Sequence, residues 1–242
     1  MQKQRNGTIE LLRFVFIVLV VLHHSVIFCK PDIIAGFIGV EFFFMVSGYL
    51  MAKSVNDGKV ISIPKFIFHK IKAFYVEFLV AGCTGYFLVM IFCHYGIKQA
   101  IKTIYPLVSD FLLLQIWGIG TFSGTGVGWY LSAMIGALFF LLPLVIYREK
   151  LFRECVAPLL VLIIYGACYF KFGSVGLVLE PAFDGFLHMG LLRAIAGMSF
   201  GYLIFYGCRE LKTMEFSDAT SKVLSVLWGG EHCPLYSGCA CR

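Results

Sequence analysis

An arginine and a histidine stand eleven positions apart in a run that is otherwise nearly all hydrocarbon, Ile9 to Phe28. At about 100° per residue the steps from Arg13 to His24 close to within about 20° of whole turns, so a helix puts both on one face. They lie about 16 Å apart along the axis, while His23 falls about 80° away from Arg13. Glu10 stands one turn before Arg13, within reach of an ion pair. The helix thus carries one polar stripe, carboxylate and guanidinium at one level and imidazole at another. An imidazole exchanges protons near neutral pH, and a guanidinium holds oxyanions in a planar fork. Such groups are costly in an apolar run and usually face a bundle interior or a water-filled cavity.

The element that must hold this stripe is a membrane helix. Of the 242 residues, 60% are hydrophobic and 14% charged, with a mean hydropathy of +0.86; a soluble domain has about a quarter charged. Several apolar runs reach roughly 17–25 residues, the length that spans a bilayer core as helix. They are continuous rather than alternating, which excludes a β-barrel. The expected fold is all-α, a polytopic transmembrane bundle of six or seven helices. Six runs read as full crossings, about 9–28, 34–52, 73–94, 129–147, 155–171 and 186–206. The first is too long for a signal peptide and lacks a small-residue cleavage site, so it remains as a helix. The formal charge of +6 needs no nucleic acid, because basic cytoplasmic loops produce the same excess. The nine cysteines give no disulfide framework. His232, Cys233, Cys239 and Cys241 follow no common zinc spacing, so no metal is expected.

A seventh run from Tyr105 is short and carries Asp110 and Gln115. If it does not cross, thirteen loop lysines and arginines share the side of the N-terminus against four on the other, Lys30, Lys98, Lys102 and Lys171. If it crosses, the bias disappears. Basic residues favour the cytoplasm, so a re-entrant or interfacial helix is expected at 105–118, with the N-terminus cytoplasmic. The loops 53–72 and 148–154 are then cytoplasmic and 95–128 external. After Tyr206 the chain turns polar, and the apolar "VLSVLWGG" ends before it can span a bilayer.

The second run reads "GVEFFFMVSGYLMAKS", with Glu41 near its outer end and Ser47 and Gly48 at mid-depth. A Ser-Gly pair in a membrane helix is commonly a close-packing spot. A basic segment, "PKFIFHKIKAF", follows, and "GVGWYLSA" opens a later crossing. Together these stretches resemble the membrane-bound acyltransferase 3 family, bacterial O-acyltransferases of surface carbohydrates. The family's first-helix arginine, ten intervening residues and histidine are matched by Arg13 and His24. Its FFxxSG helix is matched by Phe43, Phe44, Ser47 and Gly48, followed by Tyr49, and its later WYL by Trp129, Tyr130 and Leu131. The resemblance covers about residues 5–206. The family's arginine pair before the third helix is replaced here by His69, Lys70 and Lys72.

The resemblance implies a plasma-membrane enzyme that moves an acyl group, often acetyl, from a cytoplasmic thioester such as acetyl-CoA to a carbohydrate hydroxyl. No resident cofactor is implied; acyl-CoA is a substrate, and the other partners are the carbohydrate acceptor and the lipid bilayer. His24 is then the base for the attacking hydroxyl, with Arg13 holding the donor. Lys70 and Lys72 bind donor phosphates, and Glu41, Ser47, Trp129 and Tyr130 lie toward substrate. Arg193 is a further cavity candidate. His188 and Asp184, one turn apart, read as an interfacial turn. The family has more membrane helices than this chain supplies, so residues 1–206 are expected to be an incomplete acyltransferase domain and 207–242 a polar tail with an aborted apolar segment. Little activity is expected of the truncated chain. The same stripe would also suit a transporter or flippase, and an inactive fragment is the remaining alternative.

Overall fold

With no water in hydrocarbon to bond an open backbone, each continuous apolar run must satisfy its own N–H and C=O groups, and it does so as helix. The computed structural model describes residues 7–24, 36–60, 62–117, 128–173, 181–182 and 187–213. Its α-helices are α1 (Gly7–His24), α2 (Gly36–Asn56), α3 (Ile63–Lys72), α4 (Tyr75–Phe92), α5 (Ile97–Phe111) and α6 (Gly128–Tyr147). They continue with α7 (Glu149–Leu151), α8 (Ala157–Phe172), joined to α7 by a π-helical turn at Phe152–Val156, and α9 (Met189–Thr213). Six stretches among the described residues are long and apolar enough to cross a bilayer: Gly7–His24, Gly36–Asn56, Tyr75–Phe92, Gly128–Tyr147, Glu149–Phe172 and Met189–Leu211. They coincide with the six expected runs, and the fold is an all-α polytopic bundle. Pro181–Ala182 and Leu187–His188 add only a two-residue antiparallel pairing before α9.

The chain forms two compact units, Met1–Leu203 and Ile204–Arg242. In the second, the Phe205 and Tyr206 rings stand perpendicular, 5.2 Å apart, and Arg209 lies 5.9 Å over Tyr206. All the candidate site residues belong to the first.

The seventh run differs in its bounds from the expected 105–118 helix. Residues from Ile97 to Phe111 are helical, and Leu112–Trp117 is a turn followed by the 3-10 turn Gln115–Trp117, with Leu113 left-handed at φ +56°. Tyr86 Oη donates to Ala100 O and Tyr75 Oη to Phe111 O, each at 3.0 Å, so α5 runs back along α4. Ser132 Oγ then donates to Leu113 O at 2.5 Å, and Ile116 and Trp117 pack at Gly136 of α6. The chain next reaches the start of α6. By length and composition the run is not one of the stretches able to cross a bilayer. Irregular backbone at this depth is tolerated where protein covers it; here Ser109, Asp110, Gln115 and Ile116 are all buried.

Glycines set the packing of α2. A Cβ on Gly39 would come 2.8 Å from Val20 Cγ2 of α1, and one on Gly48 would strike the Met198 carbonyl of α9. A Cβ on Gly201 would strike the Met45 carbonyl in the same way. The α2–α9 crossing is thus backbone against backbone, the contact small residues permit in membranes. Gly48→Ala is therefore expected to destabilise the protein by at least the ~1–3 kcal/mol typical of overpacking, and so to lower its thermal midpoint in detergent. Gly166→Ala, with open space around its Cβ position, is expected to leave the midpoint unchanged or raise it. Equal midpoints for Gly48→Ala and the parent would contradict the crossing.

Candidate functional site

Two polar clusters occupy the first unit. In the first, Glu41 of α2 and Arg193 of α9 pair in the core, with Arg193 0% and Glu41 8% exposed. Arg193 Nε donates to Glu41 Oε1 at 2.7 Å, and Nη2 lies 2.6 Å from the same oxygen. Tyr165 Oη of α8 donates to Oε2 at 2.5 Å. Gly197 makes room: a Cβ there would sit 3.2 Å from Tyr165 Oη and 3.3 Å from Glu41 Oε2. The Arg193 guanidinium carbon lies 5.7 Å from the Trp129 ring centre, and Trp129 lies 6.4 Å from the His188 ring. His188 Nδ1 accepts from the Gly190 N–H at 3.1 Å, which places the proton of the neutral ring on Nε2. Burial, and then the Arg193 charge, hold its pKa below the usual histidine value, so it is neutral at pH 7. Asp184, its expected neighbour, lies outside the described residues. Near by, Gln115 Nε2 in the 3-10 turn donates to Asp110 Oδ1 at the end of α5 at 2.9 Å.

The second cluster follows the α1 stripe. Arg13 Nη1 binds Glu10 Oε1 at 3.1 Å, both partly exposed. Phe43 of α2 packs edge-on against Tyr130 of α6, ring centres 6.3 Å apart. Ser47 Oγ lies 3.4 Å from Met134 Sδ. Phe44 packs on Tyr130 at 4.7 Å and on Trp129 at 6.2 Å, so one ring separates the two clusters. Of the expected site residues, the fold sets Ser47 and Tyr130 in the packing of α2 against α6 and turns Glu41 and Trp129 into the other group.

His24 is exposed at the end of α1, and its Nδ1 lies 2.8 Å from Val20 O. A carbonyl can only accept, so Nδ1 carries the proton and the lone pair of the neutral ring is on Nε2. His23 instead packs against α2, where a Cβ on Gly36 would collide with its ring. Lys70 and Lys72 belong to α3, which follows the opposite end of α2; Lys72 is exposed, and Lys70 Nζ lies 5.4 Å from the Phe66 ring.

Sequence reasoning singled out Glu41 and Arg193 without pairing them, and Tyr165 escaped it. The two ends of the ion pair are 152 positions apart, and a lone tyrosine in an apolar helix carries no signal of its partner. Among the described residues no group of three His, Cys, Asp or Glu side chains could hold a metal ion. His232, Cys233, Cys239 and Cys241 lie outside them.

These features define a polytopic membrane protein with polar groups gathered inside its bundle. The chain belongs to the Acyl_transf_3 family, whose model, described as an acyltransferase domain, matches residues 6–230. It is in general terms a membrane acyltransferase. No curated protein and no solved structure matches it.

Proposed function

We propose that the protein transfers an acetyl or similar acyl group from acyl-CoA on the cytoplasmic side to a hydroxyl of a surface carbohydrate. The N-terminus is cytoplasmic and the host membrane is the plasma membrane. The observation that carries the reading is the state of His24: its Nδ1–H is committed to Val20 O, which leaves Nε2 as a base. An alcohol must lose its proton as it attacks, and an imidazole suits that task near neutral pH. As the hydroxyl oxygen bonds to the acyl carbon, its proton passes to His24 Nε2, the C–S bond breaks, and the proton returns to the leaving thiolate. The products are an ester and free CoA thiol.

Arg13, on the same helix, holds the donor arm, and Ser47 and Tyr130 line that stretch beside it. Lys70, turned away from the exposed face of α3, receives the donor phosphates, which basic side chains bind well. Glu41 and Trp129, buried among Arg193, Tyr165 and His188, pack the bundle beside the acceptor's path rather than touch the sugar.

The test supplies acyl-labelled acetyl-CoA and a surface polysaccharide to the purified protein in vesicles. Label on carbohydrate hydroxyls supports the reading. Solute accumulation without acyl turnover would replace it with transport. For the topology, cysteines introduced at positions 150 and 98 in intact cells are expected to label from outside only at 98. Labelling of position 150 from outside would overturn the orientation.

A further inference from the structure

We propose that α3 is an in-plane anchor whose outward face binds the anionic phospholipid headgroups of the leaflet on which it lies. The helix is tethered to that surface at both ends. It follows the candidate span Gly36–Asn56 after a short loop, and only Ala73 and Phe74 separate it from the candidate span Tyr75–Phe92. Pro64 in its first turn suits a helix start, where no N–H partner is needed.

Three environments divide its ten residues. Ile67 is 2% exposed and turned into the protein. Phe68 is 68% exposed, a poor situation for a benzyl group in water and a good one at the acyl boundary of a bilayer. On a helical wheel Lys72 and Lys65 fall about 40° and 60° from Phe68, and His69 about 100°. All three are exposed, and α3 contains no acidic residue. The nearest carboxylate in the preceding loop, Asp57, is paired with Lys59. An apolar side chain flanked by exposed lysines is the pattern of a helix lying in the interface, ring in the acyl boundary and ammonium groups among lipid phosphates. Lys70 is about 160° from Phe68, half-buried beside Phe66, and so turned away from that face. The anchor rests on the membrane placement of α2 and α4 and is independent of acyl transfer.

The test replaces Phe68, and separately Lys65, with a photoreactive benzophenone amino acid. The protein is reconstituted in vesicles of phosphatidylcholine alone or of phosphatidylcholine and phosphatidylglycerol in equal parts, and the adducts are identified by mass. Position 68 is expected to capture lipid acyl chains in both. Position 65 is expected to capture phosphatidylglycerol in excess over phosphatidylcholine, an excess that high salt reduces. Lys72→Gln should lower it further, on the order of fivefold for the loss of one basic residue. Adducts at position 68 to protein alone, or equal capture of the two lipids at position 65, would overturn the proposal. Displacement of the lipid adducts by soluble acyl-CoA would also overturn it, assigning the face to the donor. None of these readouts depends on turnover, so failure here leaves the acyltransferase reading standing, and an inactive enzyme leaves the anchor standing.

Discussion

His24→Ala is expected to lower the rate of acyl transfer on the order of 10²–10⁴-fold, the usual contribution of a positioned general base, with membrane insertion unchanged. The side chain is exposed and its only described bond is to Val20 O of its own helix, so its loss leaves no hole in the bundle. His23→Ala should behave differently. That ring fills the space over Gly36, and its removal should cost stability more than rate. Arg13→Lys should also impair turnover, because a point charge does not reproduce a planar fork. The comparison requires matched expression and an assay of ester-linked acyl groups on carbohydrate. An inactive His23→Ala beside an active His24→Ala would refute the assignment of the base.

The second large effect concerns Glu41. Removing one partner of a buried ion pair leaves an uncompensated charge, at a cost of about 3–5 kcal/mol. Arg193 is 0% exposed, and Glu41 accepts from its Nε with Nη2 at 2.6 Å, so Glu41→Ala should unfold the protein in detergent well before the parent. Glu41→Ala combined with Arg193→Met should be more stable than Glu41→Ala alone, since the stranded charge is gone. Tyr165→Phe removes only one donor to the carboxylate and should cost less, about 1.5–3 kcal/mol for a hydrogen bond to a charged group. A double variant no better than Glu41→Ala would show that the pair is not what makes the single replacement costly.

The six spans were legible because bilayer thickness sets a length that composition reveals directly: a run such as Tyr75–Phe92 has no other stable form in hydrocarbon. The seventh run was half legible. Its buried Asp110 and Gln115 marked it as unlike a span, but helical periodicity cannot show that Leu113 is left-handed, and the helix ends there and begins at Ile97 rather than at 105. Gly48 was read as a packing position, and its contact with Met198 is the reason. The α1 stripe could be read from angle alone because one helix carries it. The Glu41, Arg193, Tyr165 group could not, because it is assembled from three helices and only tertiary packing joins them. Likewise, periodicity put Arg13 and His24 on one face but could not foresee that Ser47 and Tyr130 would meet in the packing of α2 against α6 while His24 stays exposed.

The most direct measurement places donor and acceptor on opposite sides of a membrane. The protein is reconstituted in sealed vesicles of determined orientation, with labelled acetyl-CoA confined to the side that α3 faces and polysaccharide confined to the other. Labelled ester on the polysaccharide, absent when the two compartments are exchanged and lost in His24→Ala, is the predicted result. Ester formation only when donor and acceptor share one side, or at equal rates in both arrangements, would contradict transfer across the bundle.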